Sequence, residues 1–202
     1  MTTEGGETDR GDAPLPMLRG RLVYLRPAER SDIPLFVQWL SDARTTRNLA
    51  LRSPLSVALE ERWFDDLLEH HGRDRWHFVV CLLADGRPVG SLDLHEIDLT
   101  SGGGGLGIQV GDPADRSKGY GGDALRVLID FAFDQLRLER VWLDVYATNP
   151  DARRLYERVG FVHEATFRHG VYRGGRYEDV DRLAILRAEW ADRRAVRAAS
   201  TA

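Results

Sequence analysis

The residues best suited to chemistry lie between Ile108 and Ala124, in the run Ile-Gln-Val-Gly-Asp-Pro-Ala-Asp-Arg-Ser-Lys-Gly-Tyr-Gly-Gly-Asp-Ala. Its apolar start reads as a strand that Gly111, Asp112 and Pro113 end. Its close opens a segment with apolar residues at Leu125, Leu128, Ile129, Ala132 and Leu136, the spacing of an amphipathic helix. Between them Arg116, Ser117, Lys118, Gly119, Tyr120, Gly121 and Gly122 make a turn dense in glycine. Glycine lets the chain turn steeply and leaves its amide N–H groups uncovered. The first turn of a helix adds N–H groups without intrahelical partners, aimed where an anion would sit. Arg116 and Lys118 place positive charge at the same point. Two readings stay open here: a cradle for phosphate or pyrophosphate, and a tight turn before an ordinary surface helix. The P-loop pattern and GxGxxG are both absent.

A second group follows. Asn149, Pro150 and Asp151 have the order of a helix cap, a first-turn proline and an acid at the positive helix end. Ala152, Leu155, Tyr156 and Val159 then fall on one helical face, and Gly160 stops the helix. Arg116-Ser-Lys-Gly-Tyr-Gly121 resembles the acyl-CoA-binding signature of the GCN5-related N-acetyltransferase (GNAT) superfamily. The stretch from Asn149 to Phe161 is similar to that family's second signature, an Asn and a Tyr on a helix that closes on Gly-Phe. The closing segment Tyr172–Trp190, with Gly174, Tyr177, Asp179 and Glu189-Trp190, resembles the branch that acetylates ribosomal-protein N-termini. That branch also contains polyamine and antibiotic acetyltransferases. The resemblance covers roughly Leu18 to Trp190.

The resemblance implies an α/β fold with a mixed, largely antiparallel central sheet, splayed central strands and flanking helices. It implies acetyl-CoA as co-substrate, no metal, and acetyl transfer to a primary amine by direct attack in a ternary complex. The acceptor is then a protein or peptide N-terminus or a small amine. A CoA-binding regulatory module without turnover is the alternative. In the family arrangement acyl-CoA lies between strands ending near Val110 and Tyr146, its pantetheine bonded to the backbone of Ile108, Gln109 and Val110. The pyrophosphate rests on Arg116–Gly122, Asn149 meets the pantetheine arm, and Tyr156 donates to the CoA sulfur. A helix cap and a core tyrosine are the structural alternatives for the last two.

An amine that attacks a thioester must be neutral, close to the carbonyl carbon, and paired with a leaving thiolate that is stabilised. A lysine-like amine, with a pKa of about 10.4, is mostly charged at neutrality, whereas an α-amine at about 8 is easier to use. The family branch commonly places an acid, the general base, two positions before the glycine in the strand leading to its first motif. Here that position is Gly105, inside Ser101-Gly-Gly-Gly-Gly105. Either the acceptor is a low-pKa amine that needs little help, or another residue helps. The candidates are His95 and Asp93 on the neighbouring strand, with Glu96 after them, and His95 has the suitable unperturbed pKa of about 6.5. An ordinary polar residue on a half-buried strand is the alternative for His95. Arg168, His169, Arg173, Arg176, Tyr172 and Tyr177 form a basic-aromatic cluster that suits a carboxylate, phosphate or RNA acceptor, or a solvated turn. Trp39, Trp63 and Phe64 fit an acceptor groove or simple core packing.

These residues need elements to hold them. Arg21–Arg26 reads as a first strand, at an edge, and Asp32 as the cap of a helix with Ile33, Phe36, Val37 and Leu40 inward. Asp42–Leu51 reads as irregular, and Ser53-Pro54 as the start of a helix with Leu59, Trp63, Leu67 and Leu68 inward. Trp76–Leu83 and Pro88–Ile97 are strands joined by an Asp-Gly turn. Thr100–Gly105 reads as a turn into the strand Leu106–Val110, and Gly119–Leu136 as the long helix. Arg140–Tyr146, Phe161–Phe167 and Asp181–Arg187 complete the strands, the last two joined around Gly170–Asp179.

At 202 residues, one substantial core is expected. Residues 1–16 read as a disordered tail, 17–190 as one domain and 191–202 as a C-terminal tail. A net charge of −4 gives no general pull toward nucleic acid or anionic membrane. No signal peptide or membrane span is visible, and the single cysteine, Cys81, sits in an apolar strand. A cytoplasmic enzyme, with a homodimer possible, fits these features.

Overall fold

Alternation of apolar and polar residues makes strands, and the order of the strands sets which of them part. The computed structural model describes residues 17–51 and 53–199. The N-terminal tail 1–16 lies outside them, as do the last three residues. The strands are β1 (Leu18–Arg19), β2 (Val23–Pro27), β3 (Trp76–Leu82), β4 (Pro88–Asp98), β5 (Gly103–Val110), β6 (Arg140–Tyr146), β7 (Val162–Arg173) and β8 (Arg176–Leu186). They form one sheet in the order β1-β2-β3-β4-β5-β6-β8-β7. The helices are α1 (Ile33–Leu40), α2 (Ala43–Thr46), α3 (Val57–His70), α4 (Tyr120–Asp134), α5 (Pro150–Val159) and α6 (Arg187–Ala199).

Every neighbouring pair is antiparallel except β5 and β6, which are parallel and joined through α4, the crossover that a parallel pair requires. Their pairing is confined to Gly103–Gly105 against Arg140–Trp142. Beyond it β5 stays bonded to β4 as far as Val110, and β6 stays bonded to β8 as far as Tyr146. The sheet therefore opens between residues 106–110 and 143–146, as the expected splay requires.

The back face carries the main core. Leu92, Leu94, Leu106, Val141, Leu143, Leu183 and Ile185 pack with Leu125, Leu128, Ile129, Ala132 and Phe133 of α4. On the front, Phe36 and Trp39 of α1 cover Val79 and Cys81, and Ile33, Phe64 and Leu67 form a smaller cluster beside them. Trp39 and Phe64 are thus core residues rather than a groove lining, and Cys81 is buried and free.

Several expected boundaries differ. The first strand is β2, an inner strand, because the short β1 pairs outside it. Asp32 makes no cap hydrogen bond to α1; its carboxylate holds both terminal guanidinium nitrogens of Arg26 at 2.7 Å. Ser56, not Ser53, caps α3, whose buried residues are Glu60, Phe64 and Leu67, while Leu59 and Leu68 face solvent. The segment after Asp42 contains α2. Gly103–Gly105 belong to β5 rather than to a turn. The last hairpin is much longer than expected, with Arg173 pairing Arg176 around Gly174-Gly175. Among the described residues no helix is long and apolar enough to cross a membrane.

Candidate active site

The glycine-rich turn delivers its amides through backbone geometry. Gly119, with φ +88, sits in the left-handed region as the N-cap of α4 and makes no side-chain cap bond. The Asp123 N–H closes the first turn on the Gly119 carbonyl at 3.1 Å. The Asp123 carboxylate turns away from the helix end and accepts from the N–H groups of Arg21, Leu22 and Val23 at 2.8, 2.7 and 3.1 Å. At Gly121 a Cβ would meet only Leu155 at 3.6 Å and Ile108 at 3.8 Å, so packing alone does not require glycine there. The two cations are otherwise engaged. Lys118 pairs with Asp115 at 3.0 Å, and Arg116 donates to the Arg44 carbonyl at 3.0 Å. Asp115 also holds Arg87 at 2.7 Å, and chiefly that bond brings its carboxyl down to about 2. The free amides of the helix N-terminus fit a pyrophosphate.

From this turn the opening between β5 and β6 runs alongside. Ile108, Gln109 and Val110 are half-buried, and their edge toward β6 carries no strand partner. Backbone polar groups on such an edge need partners, and the amides of a pantetheine arm match that need. Leu155 of α5 lies beside Gly121 and Gly122, 3.6 and 3.3 Å from where a Cβ on each would fall. Its neighbour Tyr156 is 8% exposed and meets Phe161 edge-on at 6.0 Å. Burial pushes the phenol up to about 12. No hydrogen bond to its hydroxyl is formed by the described residues, yet His77 Nε2 is the one fully buried polar side-chain atom among them left unpaired, so the hydroxyl is not sealed in the core. Asn149 caps α5, its Oδ1 accepting from Ala152 at 3.3 Å.

The front face of β4 and β5 is unusual in its side chains. Asp93 and His95 of β4 stand opposite Gly107 and Gly105 of β5. The His95 Nδ1 lies 2.7 Å from the Asp93 Oδ2. A carboxylate only accepts, so Nδ1 carries the proton and the neutral ring presents its lone pair at Nε2. The ring fills the space that a residue at 105 would occupy: a Cβ on Gly105 would fall 2.7 Å from the His95 Cδ2 and closer still to Nε2. A Cβ on Gly107 would fall 2.5 Å from the Asp93 Oδ1. Trp142 of β6 closes the far side, meeting the imidazole edge-on at 5.6 Å. The Asp93 hydrogen bond raises the His95 pKa; partial burial opposes it, Glu96 adds to it and Arg75 detracts. His77, the cross-strand neighbour of Asp93, has its pKa lowered by burial.

The mouth of the opening is spanned by α2. The Thr45 hydroxyl donates to the Gly111 carbonyl at 2.7 Å, just past β5. The Thr46 carbonyl accepts from Arg173 at 3.0 Å, and that guanidinium lies 4.9 Å above the Tyr146 ring at the end of β6. With Arg116 on the Arg44 carbonyl, three successive residues of α2 tie the glycine-rich turn, the end of β5 and the β7–β8 hairpin together. Sequence reasoning missed this strap because two of its three anchors are backbone carbonyls.

The family model of the acetyltransferase (GNAT) domain matches residues 22–162. The spermidine N(1)-acetyltransferase of Vibrio cholerae is 30% identical over 177 residues, covering 84% of this chain and 95% of that protein. Its crystal structure with CoA and spermine superimposes with a TM-score of 0.78 at 25% identity, over 84% of this chain and 98% of that one. The same enzyme has been solved as a dodecamer. A putative ribosomal N-acetyltransferase of Bacillus subtilis is 33% identical, but over 109 residues, 54% of this chain and 59% of its own length.

The expected ribosomal branch is therefore overturned in favour of likeness to the spermidine acetyltransferases. The reason lies in the closing segment that carried the expectation. Gly174 makes the hairpin turn, Asp179 accepts from the His169 N–H at 2.8 Å, Glu189 accepts from the Leu186 N–H at 2.9 Å, and buried Trp190 donates to Asp130 at 2.8 Å. These residues hold the fold and do not report on an acceptor.

Proposed function

The chain belongs to the GNAT family of acetyltransferases and transfers an acetyl group from acetyl-CoA to a primary amine; we propose that the acceptor is a small amine and that His95, oriented by Asp93, removes its proton. The observation that carries this reading is the imidazole in the space at Gly105, where the family's acid is missing. An alkyl amine with a pKa of about 10 is almost wholly ammonium at neutrality, so an unassisted site would favour low-pKa amines. A histidine with a raised pKa supplies the assistance and widens the range to alkyl amines. Nε2 takes the proton, and Asp93 stabilises the imidazolium that results.

Acetyl-CoA brings the activated acetyl group as a thioester. The residues that would hold it are Ile108, Gln109 and Val110 along the opening, Arg116 to Gly122 at the pyrophosphate, and Asn149 at the start of α5. Tyr156 donates to the departing sulfur. A phenol near 12 gives up its proton reluctantly to a thiolate whose own acid has a pKa of about 8.5, so its contribution is a hydrogen bond rather than full transfer. The enzyme works in the cytoplasm, and it assembles from several copies; the dodecameric relative supports the assembly.

Release of free CoA, followed across an amine panel from pH 6 to 9, tests the reading. The expected result is amine-dependent release with an acidic limb that vanishes in His95→Gln. An unchanged limb and rate in that variant would remove His95 as the base.

A further inference from the structure

The basic-aromatic cluster of the last hairpin separates, in three dimensions, into a surface group and one inward arginine. Tyr177 stacks on His169 at 5.6 Å and meets Tyr172 edge-on at 5.0 Å, all on exposed positions. Arg176 is held by Glu178 at 3.0 Å, and Glu178 also accepts from Thr148 at 2.8 Å. Arg173 alone turns to the mouth of the opening, between Tyr146 and the Thr46 carbonyl. Glu178 is near enough to feel its charge, but no carboxylate among the described residues lies within ion-pair distance of it, and the Thr46 bond uses one N–H, leaving most of the guanidinium's donors.

The other groups near the front of β6 are unfavourable to a second cation on the acceptor. Arg182 covers Trp142 at 3.8 Å and Phe167 at 5.1 Å, so these aromatic faces already carry a guanidinium. Asp144 is held by Arg182 through two bonds of 2.8 Å. The acids on this side are thus paired, and the aromatic rings are occupied.

Building on the acetyl-transfer reading, we propose that Arg173 is a specificity-determining residue that binds an oxyanion on the acceptor, which is a primary amine bearing a carboxylate or phosphate. The planar fork of arginine matches either group with two parallel hydrogen bonds. The chain then differs in acceptor preference from the spermidine enzymes that it resembles, because a polyamine brings a second positive charge to Arg173.

The test uses amines of matched length: δ-aminovalerate, pentylamine and cadaverine, with phosphoethanolamine against ethanolamine as the phosphate arm. For the wild type, kcat/KM is expected to be about 10- to 100-fold higher for the oxyanion-bearing member of each set, the range of a charge-assisted hydrogen bond. A preference in only one set assigns the oxyanion as carboxylate or as phosphate. In Arg173→Gln the preference should disappear through KM while pentylamine turnover stays within a few-fold, and Arg173→Lys should restore part of it. Equal use of δ-aminovalerate, pentylamine and cadaverine, with no phosphate preference, overturns the role of Arg173 and leaves acetyl transfer standing. A uniform fall of kcat for every amine in Arg173→Gln also overturns it, since that is what loss of an α2 anchor alone produces. Failure of every amine to release CoA from an acetyl-CoA-binding protein overturns the transfer reading itself.

Discussion

Strands β4 and β5 show the same backbone two opposite faces. Behind, Leu92, Leu94 and Leu106 are at most 4% exposed and lie against α4. In front, one residue away, Asp93 and His95 lie over two glycines with their side chains 26% and 30% exposed. The back is filled by large side chains from both strands, whereas opposite Asp93 and His95 the front is filled from β4 alone, because β5 has glycine at 105 and 107 and its first front side chain is Gln109. A slip of one residue in register would exchange the two sets. Burial of the leucines, about 1.5–3 kcal/mol each, therefore also fixes where the imidazole points.

Substitutions can separate these roles. The largest effect on rate is expected for His95→Gln, a fall of about 10²- to 10⁴-fold in kcat/KM, the usual worth of a positioned base. Its denaturation midpoint should remain close to wild type, and an equal loss in both readouts would make His95 structural. Leu94→Ala, its back-face neighbour, should do the reverse: a loss of about 2–5 kcal/mol of stability with the rate per folded molecule preserved. Tyr156→Phe sits between, with a fall in kcat of about 10- to 1000-fold and little change in acetyl-CoA affinity. A normal rate at saturating substrate would remove its role at the sulfur.

A smaller effect is expected for Asp93→Asn, and its sign follows from the raised pKa of His95. Activity needs the neutral ring, so the wild-type acidic limb lies above about 6.5 and should move to lower pH in the variant. The pair stabilises the fold below the unfolded value of about 6.5, and this is lost as pH rises through the folded pKa. Denaturation curves of the two proteins should therefore draw together at high pH; parallel curves would show that Asp93 does not hold the charged ring. The smallest effect is expected for Lys118→Ala. Lys118 is spent on Asp115, which keeps Arg87, so calorimetry with CoA should show a change of no more than about threefold.

Where local signals agreed, the chain could be read almost residue by residue. Asn149, Pro150 and Gly160 mark α5 within its observed bounds, and Arg140–Tyr146 is β6 as expected. The glycines before Leu106 misled, because a glycine run signals a turn locally while here it makes room for side chains of another strand. Both edges of that error are tertiary. The β7–β8 hairpin was shortened for a related reason: most of β7 is exposed, so no alternation marks it as a strand. For the proposed site, His95 could be singled out as a candidate from its chemistry and from the missing acid at Gly105. Its bond to Asp93 could not, since residues two apart on any strand share a face and only the fold brings these two to 2.7 Å.

The interlock of His95 with Gly105 also restricts how this enzyme can change by mutation. A carboxylate introduced at 105 alone would collide with the ring, and on the role proposed for His95 its removal alone would leave no base. Each single step from one base to the other is thus a loss, and only the paired exchange of positions 95 and 105 leads across. A library that varies those two codons together reaches active proteins that stepwise selection passes by.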